Sequence, residues 1–209
     1  GVAAGVAQND FETGANTFTY AIEAGDAANN WSAATNVTLN LTDLVENVKV
    51  DNIDVNENSP FAVFSVTGTA GQAVTLALQN DNDPNTANAS LGTDTGTQLQ
   101  YFDGSNWVNY TPGSSVSLPT SGQLLVRVAI NDDSTYEGPE TFQLAVSPTG
   151  GTTSYGTATI LDDGTGNIYP NNNTGNPDPD AVKDDDRAVQ VNNIDVNENS
   201  PFAVFSVTG

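Results

Sequence analysis

Apolar and polar residues alternate with a period of two through most of this chain. Phe18-Tyr20-Ile22 and Val37-Leu39-Leu41 alternate near its start, and Leu124-Val126-Val128-Ile130 and Phe142-Leu144-Val146 alternate further on. Alternation of this kind puts every second side chain on one face, the mark of a half-buried strand. Long helical patterns are missing. Within 50–161 the pattern predicts seven principal strands, at 50–56, 61–67, 73–79, 114–118, 123–130, 141–147 and 156–161. Residues 99–102 and 107–110 add a hairpin across Asp103-Gly104, a dipeptide suited to tight hairpin turns. The expected fold class is all-β, an Ig-like antiparallel β-sandwich.

The chain also repeats itself. VDNIDVNENSPFAVFSVTG begins at Val50, and VNNIDVNENSPFAVFSVTG begins at Val191. The copies differ only at Asp51 against Asn192, so a tandem array is expected. Four segments follow. Residues 1–49 read as the C-terminal part of an Ig-like β domain, with Trp31 as a cover residue, and 50–163 as a complete sandwich. Residues 164–190, rich in Asn, Gly, Pro and Asp, read as an acidic linker, whose Asp178, Asp180, Asp184, Asp185 and Asp186 form a flexible spacer or, as the second choice, part of an interdomain ion site. Residues 191–209 read as the first two strands of the next repeat. No residue is Met, so residue 1 is expected to be an internal position of a longer protein.

Charge narrows the chemistry. The chain carries 26 acidic and 4 basic residues, a formal charge of −22. Phosphate binding needs a basic patch, so neither nucleic acid nor an anionic membrane surface is an expected partner. There is no Cys, hence no disulfide or thiolate chemistry, and no His, the usual general base and zinc ligand. No apolar run approaches the roughly 20 residues that span a bilayer, and no signal peptide is visible. The profile is that of a secreted protein with many turns, and any anchor would lie outside this stretch.

Between the strands at 123–130 and 141–147 the loop NDDSTYEGPE carries Asp132, Asp133, Glu137 and Glu140. Four carboxylates in one loop repel each other unless a cation holds them, or unless water simply solvates them. A hard divalent ion bound through oxygen is the natural counter-ion, and Ca²⁺ accepts six to eight oxygens in loose geometry. Strand parity adds weight to the ion. In an up-and-down course the turn after 56, the loop after 79, this loop and the end of the last strand share one pole. There lie Glu57, then Asp81, Asp83 and Asp94, then the four loop acids, then Asp162 and Asp163. The turns expected at the other pole, 68–72, 119–122 and 148–155, are free of charge.

The sequence VNE, then INDD-x₃-EG-x-E, then ATILDD resembles the Calx-β domain, known from sodium–calcium exchangers and from large bacterial surface proteins. The resemblance covers 50–163. It implies Ca²⁺ as the bound ion, with Glu57, Asp132, Asp133, Glu137, Glu140, Asp162 and Asp163 as ligands and Asp94 as a further match in the preceding loop. A carbonyl near Thr135 would join them, and one to three ions are expected. FTYAIEAGDAANNWSAATNVTLNLTD, in 1–49, resembles the closing strands of bacterial Ig-like adhesin domains.

These readings lead to a non-catalytic, calcium-binding extender repeat of a large secreted bacterial adhesin at the cell surface, in contact with neighbouring repeats. Paired carboxylates serve glycosidases only across a substrate cleft, and these cluster in loops. Two alternatives stand. One is a calcium-dependent glycan- or peptide-binding adhesion module, with Trp107, Tyr101, Phe102 and Tyr110 as a platform or, more simply, as packing. The other is a subunit of an extracellular filament in which 191–209 of one copy exchanges for 50–68 of another.

Overall fold

A computed structural model describes residues 14–42, 46–81 and 83–209. Residues 1–13 and 43–45 of the expected Ig-like tail, and Asn82 of the long polar loop, lie outside the described residues. The strands in chain order are β1 (Thr17–Ile22), β2 (Thr35–Asn40), β3 (Lys49–Val50), β4 (Ile53–Asn56), β5 (Phe61–Thr67), β6 (Ala73–Asn80), β7 (Ala87–Asn88) and β8 (Gln100–Phe102). They continue as β9 (Trp107–Asn109), β10 (Val116–Ser117), β11 (Gln123–Ala129), β12 (Glu140–Pro148), β13 (Ser154–Leu161), β14 (Gln190–Val191) and β15 (Val207–Thr208). No helix occurs among the described residues.

Two sheets face each other. One runs β3-β5-β11-β8-β9; the other runs β10-β6-β12-β13-β4, with β7 against β12. Alternation decides what lies between them: Ala62, Phe64 and Val66 on β5, Leu124, Val126 and Val128 on β11, Phe142, Leu144 and Val146 on β12. Phe64 and Phe142 meet edge to face across the sheets, with ring centroids 5.9 Å apart, a favoured aromatic geometry.

The first strand departs from expectation. It is two strands, one in each sheet: β3 pairs β5 antiparallel, and β4 pairs β13 parallel. The sandwich is therefore not wholly antiparallel. The chain crosses over at Asp51–Asn52, where Asn52 Oδ1 accepts the Thr157 N–H at 2.9 Å in place of a ladder bond. Gly156 makes the crossing possible, since a β-carbon there would lie 2.6 Å from the Asp51 carbonyl oxygen.

Residues 164–190, expected to be a linker, double back over the sandwich as a strap. Asn167 N–H donates to Asp54 O at 3.0 Å, and Asn167 O accepts from Asn56 N–H at 3.0 Å. Ile168 and Tyr169 are buried. Gly166, at φ +83°, lies so close that a β-carbon would sit 2.6 Å from Asn56 N. Further on, Trp107 Nε1 donates to Asn172 O at 2.7 Å and Arg127 Nη1 donates to Asn171 Oδ1 at 3.0 Å. This cover explains why Val63 and Arg127, outward by alternation, are buried. Arg127 stacks between Phe61 and Trp107, 3.7 and 4.2 Å from their ring centroids. A few apolar side chains and Asn-rich backbone bonding suffice to dock a segment whose composition reads as a spacer.

The described residues begin and end in hairpins with exposed apolar residues. β1 and β2 pair over their whole length, turning at Asp26, whose Oδ1 accepts from the Ala28 and Asn30 amides. Trp31 covers no sandwich among the described residues; it is exposed and lies against Gly25. β14 pairs β15 at the other end.

Candidate metal centre at the acidic pole

The strand order brings the acidic turns together as parity requires. At the uncharged pole Gly68 N–H donates to Gly122 O, Gly71 N–H to Leu118 O and Thr149 N–H to Ala73 O. At the acidic pole Glu57 N–H donates to Leu161 O at 2.9 Å. The turn after β4 is thereby tied to the end of β13, one residue before Asp162. Asn131 N–H donates to Asp94 O at 2.9 Å, fixing the loop after β11 against the loop before β8. Asp133 Oδ1 accepts the Thr135 N–H at 2.7 Å, which bends the acidic loop back on itself.

Three groups of carboxylates have oxygens within 4.8 Å of one another: Glu57–Asp133–Glu137, Glu57–Asp162–Asp184 and Asp94–Glu137–Glu140. They form a row, because Glu57 belongs to the first two and Glu137 to the first and third. Two oxygens that each lie about 2.3–2.6 Å from one calcium ion are at most about 5 Å apart, so each group has the span of a shared ion.

The electrostatics are those of a site short of positive charge. Glu57 is 5 % and Asp162 3 % exposed. Burial, with Asp162, Asp133 and Asp132 nearby, pushes the Glu57 carboxyl up to about 7. Burial, with Asp94 and Glu137 nearby, pushes Glu140 up to about 7 as well. Asp132, Glu137 and Asp162 are raised for the same two reasons, burial first. The second carboxylate oxygens of Asp162, Asp184 and Asp186 are buried without a hydrogen-bond partner. Buried ionised groups in native proteins are paired or bind metal.

None of the four basic residues meets this need. Lys49 pairs with Thr67 in the ladder, next to the uncharged pole, and Arg127 is held over the sheet. Lys183 is exposed. Arg187 forms the one ion pair among the described residues, 2.7 Å from Asp185.

Of the eight expected ligands, Glu57, Asp94, Asp133, Glu137, Glu140 and Asp162 fall in the three groups. Asp132 belongs to none of them, though its carboxyl feels Asp184, Asp133 and Asp162. Asp163 instead accepts from the N–H and hydroxyl of Thr165 and pairs through its backbone with Asp185. Asp81 and Asp83 stay outside as well; Asp83 closes an Asx turn on Asn85.

No protein-family model and no curated protein matches this chain. Among solved structures, the calcium-binding domain CBD12 of CALX1.1 matches at 20 % identity and a TM-score of 0.38, over 56 % of this chain and 45 % of that one. The apo form of the Calx CBD1 domain matches at 20 % identity and a TM-score of 0.36, over 56 % and 99 %. A conjugative transposon lipoprotein from Bacteroides eggerthii matches at 10 % identity and 0.32, over 54 % and 95 %. The first match spans less than half of its partner's length, and scores this low transfer no property to this chain.

Asp184 is the residue that the ligand set expected from the sequence leaves out, the spacer reading of its segment having been preferred to an ion site. It lies in the segment read as a spacer, and its place beside Glu57 depends on long-range bonds. Asn56 makes them: its Nδ2 lies 3.0 Å from Asp184 O and its Oδ1 accepts the Asp184 N–H at 2.8 Å. An Asn one residue before Glu57 was the only local sign; the structure buries it fully, and nothing in the sequence says what that side chain holds.

Proposed function

We propose that this chain is a calcium-binding structural repeat, an extender module of a large secreted bacterial surface adhesin. Ca²⁺ at the acidic pole would rigidify the sandwich. The observation that carries this reading is the set of buried, unpartnered carboxylate oxygens where five separate segments converge. Glu57, Asp133, Glu137 and Asp162 would hold one part of the cluster, and Asp94, Glu137 and Glu140 the other. The ion's chemistry here is charge neutralisation and cross-linking of loops; the module is non-catalytic. The near-identity of 50–68 and 191–209 supports placement in an array of such repeats.

The test is thermal unfolding in EDTA and in millimolar Ca²⁺, with Mg²⁺ as control. An ion present at a hundredfold over its Kd stabilises the native state by about 2.7 kcal/mol, a rise of roughly 10 °C for a domain of this size. An unchanged melting temperature sinks the reading.

Strand exchange between copies is the second reading. It is favoured by 191–209, which repeats the sequence of 50–68 at all but one position and leaves most of its apolar side chains exposed. An oligomer that dissociates on deletion of 191–209 would support it. A glycan platform at the 99–110 hairpin has less support, because Trp107 is occupied by Arg127, Phe102 and Asn172.

A further inference from the structure

The strap touches the sandwich in two places with different chemistry. Its first part, 166–176, is seated by apolar burial and by hydrogen bonds that include one from the Arg127 guanidinium. Its last part returns to the acidic pole through its own backbone groups and the bond from Arg187 Nη2 to Asp163 O. Gly164 N–H donates to Asp184 O at 2.9 Å, Asp184 N–H to Asn56 Oδ1 at 2.8 Å, and Asp186 N–H to Asp162 Oδ1 at 3.1 Å. Between the two lies an exposed stretch around Val182, tied by Asn58 Nδ2 to Val182 O at 3.0 Å.

Those backbone bonds bring like charges together. Asp184 arrives beside Glu57 and Asp162, which are almost wholly buried, with oxygens of all three within 4.8 Å of one another. Asp162 Oδ2 has no partner, and neither has Asp184 Oδ2 or Asp186 Oδ2. Arg187 does not relieve them, since its guanidinium is taken by Asp185 and by Asp163 O. Hydrogen bonds thus hold the strap down while carboxylate repulsion pushes it away.

We propose that Asp184 is a cation ligand carried on the strap, completing a site with Glu57 and Asp162, so that binding of a divalent cation clamps residues 180–187 onto the pole. This rests on the calcium reading above and adds a ligand from outside the sandwich. One carboxylate of the site then sits on the strap and the others on the sandwich.

The test uses the whole chain, with Ca²⁺ as the probe. Hydrogen exchange at 184–186 should slow at least tenfold on adding Ca²⁺. Asp184→Asn keeps the backbone bonds and the side-chain shape. In calorimetric titration it should weaken one binding event at least tenfold and abolish the calcium-dependent protection of 184–186. In EDTA it should unfold no earlier than the parent, because it removes a like charge. Asp180→Asn, which deletes the same charge from an exposed strap position, should change neither titration nor exchange. The proposal fails if Asp184→Asn titrates as the parent does. It fails equally if 184–186 exchange at one rate with and without Ca²⁺ while 131–140 gain protection; the calcium reading then stands without the strap. A parent chain that takes up no Ca²⁺ sinks both.

Discussion

Residues 50–68 and 191–209 are one sequence in two environments. Phe64 is fully buried and its counterpart Phe205 is 59 % exposed; Val63 is 6 % exposed and Val204 77 %. What the copies share is local. Ser59 N–H donates to Asn56 O at 2.9 Å, and Ser200 N–H to Asn197 O at 2.9 Å. Ser59 Oγ donates to Phe61 O at 2.7 Å, and Ser200 Oγ to Phe202 O at 2.8 Å. Asn56 and Asn197 each accept the amide two residues on. Even the short ladder recurs, Val50 opposite Val66 and Val191 opposite Val207. What differs needs distant partners: β5 lies along β11 for its whole length and β4 along β13. The turn is written in the nineteen residues themselves. The burial is written elsewhere, because two strands alone bury too little to stand in water.

The largest test of that division is Phe64→Ala against Phe205→Ala. Removing a fully buried phenylalanine ring costs about 3–5 kcal/mol, whereas an exposed one changes stability by no more than about 0.5 kcal/mol. Urea unfolding of the two variants measures both. Appending a second copy of residues 69–190 after Gly209 should make Phe205→Ala as costly as Phe64→Ala, read on the added domain's transition. A cost that stays near zero would mean that the repeat does not rebuild the sandwich. Next in size is Asn56→Ala, which strips partners from the Asp184 backbone and should cost about 1–3 kcal/mol. Asn197→Ala, whose side-chain oxygen accepts only the amide two residues on, should cost almost nothing.

The alternating runs made the strands, the core and the two poles legible beforehand, because burial repeats with the period of the strand. Parity was enough to bring Glu57, Asp94, Glu137 and Asp162 to one end. Three things were not legible, and each depends on contacts far along the chain. The split of the first strand between sheets needs Gly156 facing the crossover. The docking of the strap needs Ser59 Oγ to accept the Tyr169 amide at 2.8 Å. The arrival of Asp184 needs Asn56. Composition reads 164–190 as a spacer because only Ile168 and Tyr169 in it are large, apolar and buried.

Glu57 and Glu198 extend the comparison to charge, with a smaller expected effect. In the metal-free chain the Glu57 carboxyl is held up at about 7 by burial and its acidic neighbours; unfolding returns it to about 4.3. The folded state therefore binds its proton more tightly. Stability is gained as pH falls from 8 toward 5 and lost as pH rises through 7. Glu140 adds to the same trend. In EDTA the melting temperature should rise by several degrees between pH 8 and pH 5. Glu57→Gln should flatten part of that rise and Glu198→Gln none of it. In saturating Ca²⁺ the slope should reverse, since protons then compete with the ion. A flat profile in EDTA would mean that the pole is open to water and its carboxyls are unperturbed.

The smallest effect belongs to the one position at which the copies differ. Asp51 sits where β3 leaves one sheet for the other, its side chain exposed and its N–H donating to Ser65 O at 3.1 Å. Asn192 N–H donates to Ser206 O at 3.2 Å, and its side-chain oxygen accepts the Ser206 amide at 2.6 Å. Asparagine therefore fits the crossover at least as well as aspartate. Asp51→Asn should change stability by no more than about 0.5 kcal/mol and leave Phe64 as protected from exchange as before. A large loss would place the cause of the two environments inside the repeat. A negligible one leaves it with the strands that 50–68 has beside it and 191–209 lacks.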